Sequence, residues 1–128
     1  MSYLLDATVL FAAACGEQAT LSRLAQLQGA DVATSAIVWS ELMAAAPAKD
    51  RRLAENLRLI GETIDILPFD QAAAAAYGAL LQEVEPKRRR ALDRMVAAQA
   101  GALGRTLVTL NGADFSDIRG LTMEDWSN

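Results

Sequence analysis

The run Thr106 to Leu110, TLVTL, constrains the fold more than any other stretch, because it offers no polar face. A strand with one face in water alternates apolar and polar residues, whereas a nearly continuous run of branched and apolar residues asks to be covered on both sides. Ahead of it Met95, Val96, Ala97, Ala98, Ala100, Ala102 and Leu103 recur at helical spacing, and Gly104 supplies the stop. Behind it Asn111-Gly112 breaks the chain, with Asp114 following. Helix, stop and strand thus deliver polar groups to a strand end, the edge at which open α/β sheets build their sites.

The same alternation runs through the whole chain. Tyr3 to Phe11 reads as a buried strand passing into a short helix, with Asp6 at the junction. Glu17 to Gln28 is a helix by spacing, Asp31 to Ser35 a short strand, and AIVWSELMAAA a helix opened by Thr34 or Ser35 and closed by Pro47. A charged helix from about Asp50 to Ile60 follows, with Gly61 as its expected stop. Thr63 to Leu67 predicts a strand, Asp70 caps an alanine-rich helix, and LTMEDW predicts an edge strand. Strands alternating with helices at this spacing imply an α/β fold with a central, mostly parallel sheet and helices on both faces. At 128 residues and 52% hydrophobic content, one core and a single domain over 1–128 are expected.

Charge and composition narrow the chemistry. The net charge is −4 and the pI near 4.7, so the chain lacks the overall basic footprint of a protein that holds nucleic acid by charge alone. Histidine is absent, which removes histidine bases, histidine metal ligands and Ser-His or Cys-His nucleophile pairs. Chemistry must rest on carboxylates. The lone Cys15 forms no internal disulfide and reads as a small half-buried thiol. No apolar run is long enough to span a bilayer and no basic segment precedes the first apolar run, so a cytoplasmic protein without membrane contact is expected.

Right-handed crossovers place every strand's carboxyl end on one edge. Asp6 follows the first strand, Glu41 lies in the helix after the second, Asp93 opens the helix before the TLVTL strand, and Asn111 and Asp114 follow that strand. Each has an ordinary alternative. Asp93 can cap its helix, Asn111-Gly112 is common turn chemistry, and Asp114 can start the turn ADFSDI. Asp6 in an apolar run is costly unless paired, hydrogen-bonded or metal-bound, and Glu41 has Ile37, Val38, Ala44 and Ala45 for helical neighbours. The basic run Lys87 to Arg90 is either a solvated loop or a substrate patch. Carboxylates gathered at one place raise one another's pKa, and a hard divalent cation resolves that conflict. Mg²⁺ or Mn²⁺ takes oxygen ligands and works with phosphate oxygens, which suits phosphodiester chemistry.

Four stretches together carry a resemblance. YLLDATVL, TSAIVWSEL, LDRMVAAQAGALGRTLVTLNGADF and RGLTMEDW, in this order and at these separations, resemble the motifs of PIN-domain ribonucleases, and among them the VapC-type toxins of toxin–antitoxin pairs. The resemblance covers essentially the whole chain and implies a PIN-like three-layer α/β/α fold. It implies that Asp6, Glu41 and Asp93 bind Mg²⁺ or Mn²⁺, with a fourth contribution from Asn111 or Asp114, and that the ion activates water for attack on an RNA phosphodiester. Thr8 stands where the family commonly has Asn, and Asn111 where many relatives carry an aspartate. Arg89, Arg90 and Arg94 are expected to meet the RNA backbone. The resemblance further implies a homodimer and a cognate antitoxin, with DNA engaged only indirectly through that antitoxin. Trp39, Met43, Leu53, Leu57 and Ile60 are candidate antitoxin contacts, and the acidic pI fits a basic antitoxin tail whose arginine meets the carboxylates.

Three other readings are weighed against this one. A haloacid-dehalogenase-type phosphatase wants a second aspartate two residues after the first, and this chain has Asp6-Ala7-Thr8. A response-regulator receiver wants a lysine near its last strand, and Lys49 and Lys87 lie elsewhere. A catalytically silent PIN fold serving in a DNA-binding repressor complex is the remaining alternative, and metal-dependent cleavage separates it from the nuclease.

Overall fold

The computed structural model describes residues 1–46, 50–85 and 90–127. In chain order the elements are β1 (Ser2–Leu5), α1 (Ala7–Ala14), α2 (Gln18–Gln26), β2 (Asp31–Ser35), α3 (Ala36–Ala45), α4 (Arg51–Thr63), β3 (Asp65–Leu67), α5 (Gln71–Leu80), α6 (Ala91–Leu103), β4 (Thr106–Thr109) and β5 (Met123–Asp125), with a 3-10 turn at Gly112–Phe115 between the last two strands. The five strands form one sheet in the order β3-β2-β1-β4-β5, and all four pairings are parallel. Parallel neighbours need crossover connections, which the intervening helices supply. The result is the α/β/α arrangement that the alternating pattern predicts.

The order of the strands places the site. From β1 the chain steps outward through β2 to β3, then returns across β1 to lay β4 against its other side. The direction of winding therefore reverses between β1 and β4, and the carboxyl ends of those two strands flank the crevice where α/β sheets bind their ligands. Register fixes the height: Leu5 pairs with Val108, and the Asp6 amide donates to the Val108 carbonyl at 3.0 Å. Asp6 and Thr109 thus leave the sheet side by side.

The core explains why these strands carry no polar face. Leu4, Leu5, Leu107 and Val108 are buried, and Val9, Leu10, Val38, Leu57, Val96 and Ala100 from the helices close over them. Ser35 caps α3 by accepting from the Ile37 amide at 3.0 Å, while Thr34 instead donates to the Leu5 carbonyl at 2.7 Å. Asp70 caps α5 by accepting from Ala73 at 2.9 Å. Gly104 ends α6 at φ +65, and the Arg105 amide reaches back to the Ala100 carbonyl, the closed turn for which glycine is suited.

Several expectations are corrected. Helix α4 runs through Gly61 to Thr63, so Gly61 is not a stop; a Cβ there would lie 2.7 Å from the Trp39 ring, which makes it a glycine of close helix packing. The strand after it is correspondingly short and begins at Asp65. Asp93 sits inside the first turn of α6 rather than capping it. Cys15 is exposed rather than half-buried. Of the five proposed antitoxin contacts, Leu53 and Leu57 belong to the core, Trp39 and Ile60 are partly buried against it, and Met43 is exposed. Pro47, Lys87, Arg88 and Arg89 lie outside the described residues.

Candidate active site at the carboxyl edge

The first acid is built into a helix start. Asp6 is the N-cap of α1, its Oδ1 accepting from the Val9 amide at 3.1 Å and from the Thr8 hydroxyl at 2.5 Å. Thr8 Oγ1 in turn accepts from the Leu110 amide at 2.9 Å and lies 3.4 Å from the Thr109 hydroxyl. The expected departure at Thr8 thus has a structural consequence: its hydroxyl bridges the ends of β1 and β4 and orients the first carboxylate. Thr109, itself buried, was not singled out from sequence; the sign to look for was a hydroxyl at the last position of an otherwise apolar strand.

Asp6 is 5% exposed, and burial pushes its carboxyl up, opposed by the hydroxyls of Thr109 and Thr8 and the Val9 amide and reinforced by Asp93. Glu41, half-buried on α3, is pushed up by burial and then by Asp93 and Asp6. Asp93 is raised by burial, with Arg90 pulling it back down. These interactions show that strand end, α3 and the first turn of α6 bring Asp6, Glu41 and Asp93 into one electrostatic cluster. Asp114 stands somewhat apart. One of its carboxylate oxygens is ion-paired with Arg90 Nη1, and the other accepts from Asn111 Nδ2 at 2.8 Å. Beside Glu41, Ile37, Ser40, Ala44, Ala45 and Leu92 line a shallow, mostly apolar depression.

The donor set is one of hard oxygens: carboxylates raised by burial, with hydroxyls at the strand ends. Such groups suit a divalent cation that accepts oxygen ligands, because binding it relieves the cost of ionising buried acids. Among the described residues no three carboxylates close on a point as a ready-made cage, so water must complete any coordination, as is usual for Mg²⁺.

A family profile described as the PIN domain matches residues 3–121, from the first strand to just short of β5. The chain belongs to the PIN-domain family. Within it the chain is of the VapC type. It is 28% identical over 132 aligned positions to a tRNA(fMet)-specific endonuclease VapC of Shigella flexneri, covering 99% of both chains. A tRNA(fMet)-specific endonuclease VapC of Salmonella typhimurium is 33% identical over 97 positions, 72% of this chain and 73% of the other. Among solved structures, VapBC2 from Rickettsia felis bound to a promoter DNA fragment matches with a TM-score of 0.86 at 25% identity, covering 98% of this chain and 99% of that one. DNA-bound VapBC from Salmonella typhimurium matches with a TM-score of 0.81 at 26% identity over 98% of each.

The PIN domain treats the three expected RNA-binding arginines differently. Arg90 stands at the rim of the acid cluster, where it holds Asp114 and acts on Asp93. Arg89 lies outside the described residues. Arg94 is corrected: it is 2% exposed and donates from Nη2 to Asp117 at 2.7 Å, so its guanidinium does not face a nucleic acid. The physical reason is its position on α6, where Ala97 and Ala98, three and four residues on, lie on the same buried face.

Proposed function

We propose that this PIN domain is a divalent-metal-dependent endoribonuclease, the toxin of a toxin–antitoxin pair. The observation that carries the reading is that half-buried Glu41 feels the charges of Asp93 and Asp6, and buried Asp6 that of Asp93, at the switch point of the sheet. In this reading those three side chains hold Mg²⁺ or Mn²⁺, with Asp114 and Asn111 completing the rim. When bound, the cation activates water and offsets charge growing on the phosphate. Thr8 fixes the orientation of Asp6, and Arg90 meets a backbone phosphate of the RNA.

The relatives named tRNA(fMet)-specific endonucleases make the initiator tRNA the first substrate to test. The likeness to DNA-bound VapBC complexes supports a cognate antitoxin as the partner, with DNA reached through it; a homodimer is the expected assembly. For the antitoxin we assign the apolar groove lined by Leu10, Ala13, Leu24, Leu27, Leu59 and Ile64, between α1, α2 and α4. An antitoxin arginine directed at the acids accounts for inhibition.

The deciding experiment is incubation of total RNA and of isolated initiator tRNA with partner-free protein in Mg²⁺, Mn²⁺ or EDTA, beside Asp93→Asn. Discrete products that need the metal and vanish in the variant are expected. Folded, partner-free protein that cuts neither RNA under any metal would transfer the chain to the catalytically silent repressor reading.

A further inference from the structure

The bulkiest fully buried side chain in the described structure is a charged one, Arg94. Its Nη2 reaches Asp117, while Nε and Nη1 meet no hydrogen-bond partner among the described residues. Burying a guanidinium carries a heavy desolvation penalty, and an ion pair with a partly exposed carboxylate and incomplete hydrogen bonding repays little of it in stability. An apolar side chain in this place would serve packing better.

What Arg94 joins is informative. It follows Asp93 directly in the first turn of α6, and Asp117 lies just beyond the 3-10 turn Gly112–Phe115 that contains Asp114. The other end of that segment is already pinned: Asp125 on β5 accepts from the Gly112 amide at 2.9 Å, and Asn111 takes its amide hydrogen bond to Thr109 Oγ1 at 3.0 Å. The Arg94–Asp117 pair closes the remaining end onto α6. Arg94 is directed to Asp117, and among the described residues it is Arg90 that lowers the Asp93 carboxyl.

We propose that Arg94 is a positioning residue whose tie to Asp117, buried at its guanidinium end, fixes the Asp114 segment against the turn of α6 that carries Asp93. The proposal rests on the reading of the acid cluster as a cation site, and it carries a sign that charge alone does not. Removing a cation from the neighbourhood of several acids should tighten divalent-ion binding by Coulomb's law. Loss of the tie should weaken it, because groups that orient metal ligands typically cost roughly 10- to 100-fold in metal affinity when removed.

The test is Arg94→Met, which keeps the length of the stem and leaves Asp117 at the surface, measured beside Arg94→Lys. Mn²⁺ titration should show affinity falling roughly 10- to 100-fold in the methionine variant and partly recovered with lysine. Hydrogen exchange in metal-free buffer should show faster exchange at Gly112–Phe115 with β1 and β4 unchanged. Mn²⁺ bound as tightly as by the parent, or more tightly, would overturn the proposal, as would unaltered exchange in that segment. If the parent itself takes no Mn²⁺, the cation site fails, and the exchange measurement alone still decides whether Arg94 pins the segment. Should Arg94→Met not fold, Arg94→Lys and Asp117→Asn give the same two readouts.

Discussion

Burial holds the carboxyls of Asp6, Glu41 and Asp93 above the ordinary carboxylate range, and this links the site to stability. A folded-state pKa above the unfolded one means the folded chain keeps its proton longer. Stability from these groups is therefore complete below the ordinary carboxylate pKa, falls as pH rises towards each raised value, and stays lower beyond it. Asp93→Asn removes one such cost. In EDTA its melting temperature should match the parent near pH 3 and exceed it near pH 8. Parallel melting curves at all pH values would show that Asp93 ionises without penalty. The three acids were legible in the sequence because Asp6 and Asp93 stand at a strand end and a helix start, and Glu41 lies among apolar helical neighbours. Arg94 was not, since a charge next to a basic run reads as solvent-facing until it is seen on the buried face of α6 with Ala97 and Ala98.

Glycines show at the level of elements why boundaries were harder to read than elements. Gly61 and Gly78 both stand inside helices, and only their surroundings distinguish them. A Cβ at Gly61 would lie 2.7 and 2.8 Å from Trp39 ring carbons, while one at Gly78 meets nothing within 4 Å. Gly78→Ala should therefore raise stability by about 0.5–1 kcal/mol through helix propensity. Gly61→Ala gains the same propensity but pays overpacking of about 1–3 kcal/mol, and should lower it. Opposite shifts in two melting curves are expected; shifts of the same sign would mean that Trp39 swings clear. Sequence periodicity located α3, α4 and α5, and Ser35, Asp50 and Asp70 cap their starts. The end of α4 escaped because a stopping glycine and a packing glycine are the same letter.

For the whole molecule, the alternation of strands and helices revealed the parallel sheet and the shared edge, whereas the strand order became visible only in three dimensions. The groove between α1, α2 and α4 was likewise hidden, because its apolar residues come from distant stretches that each look like ordinary helix faces. Leu59 is 47% exposed there, so Leu59→Glu should leave the fold intact. It should weaken antitoxin binding by about 1–2 kcal/mol, roughly 5- to 30-fold, with RNA cleavage unchanged. Equal affinity in an isothermal titration would move the antitoxin to another face.

The pairing of β1 with β4 joins residues 3–5 to residues 106–108. During synthesis the amino-terminal strand emerges first and must wait for nearly the whole chain before its second neighbour arrives. Asp6 receives its Val108 hydrogen bond and its Thr109 and Leu110 surroundings only then. An incomplete chain thus lacks the β4 side of the candidate site: the layout of the sheet leaves the acid cluster unfinished until the message has been read almost to the end.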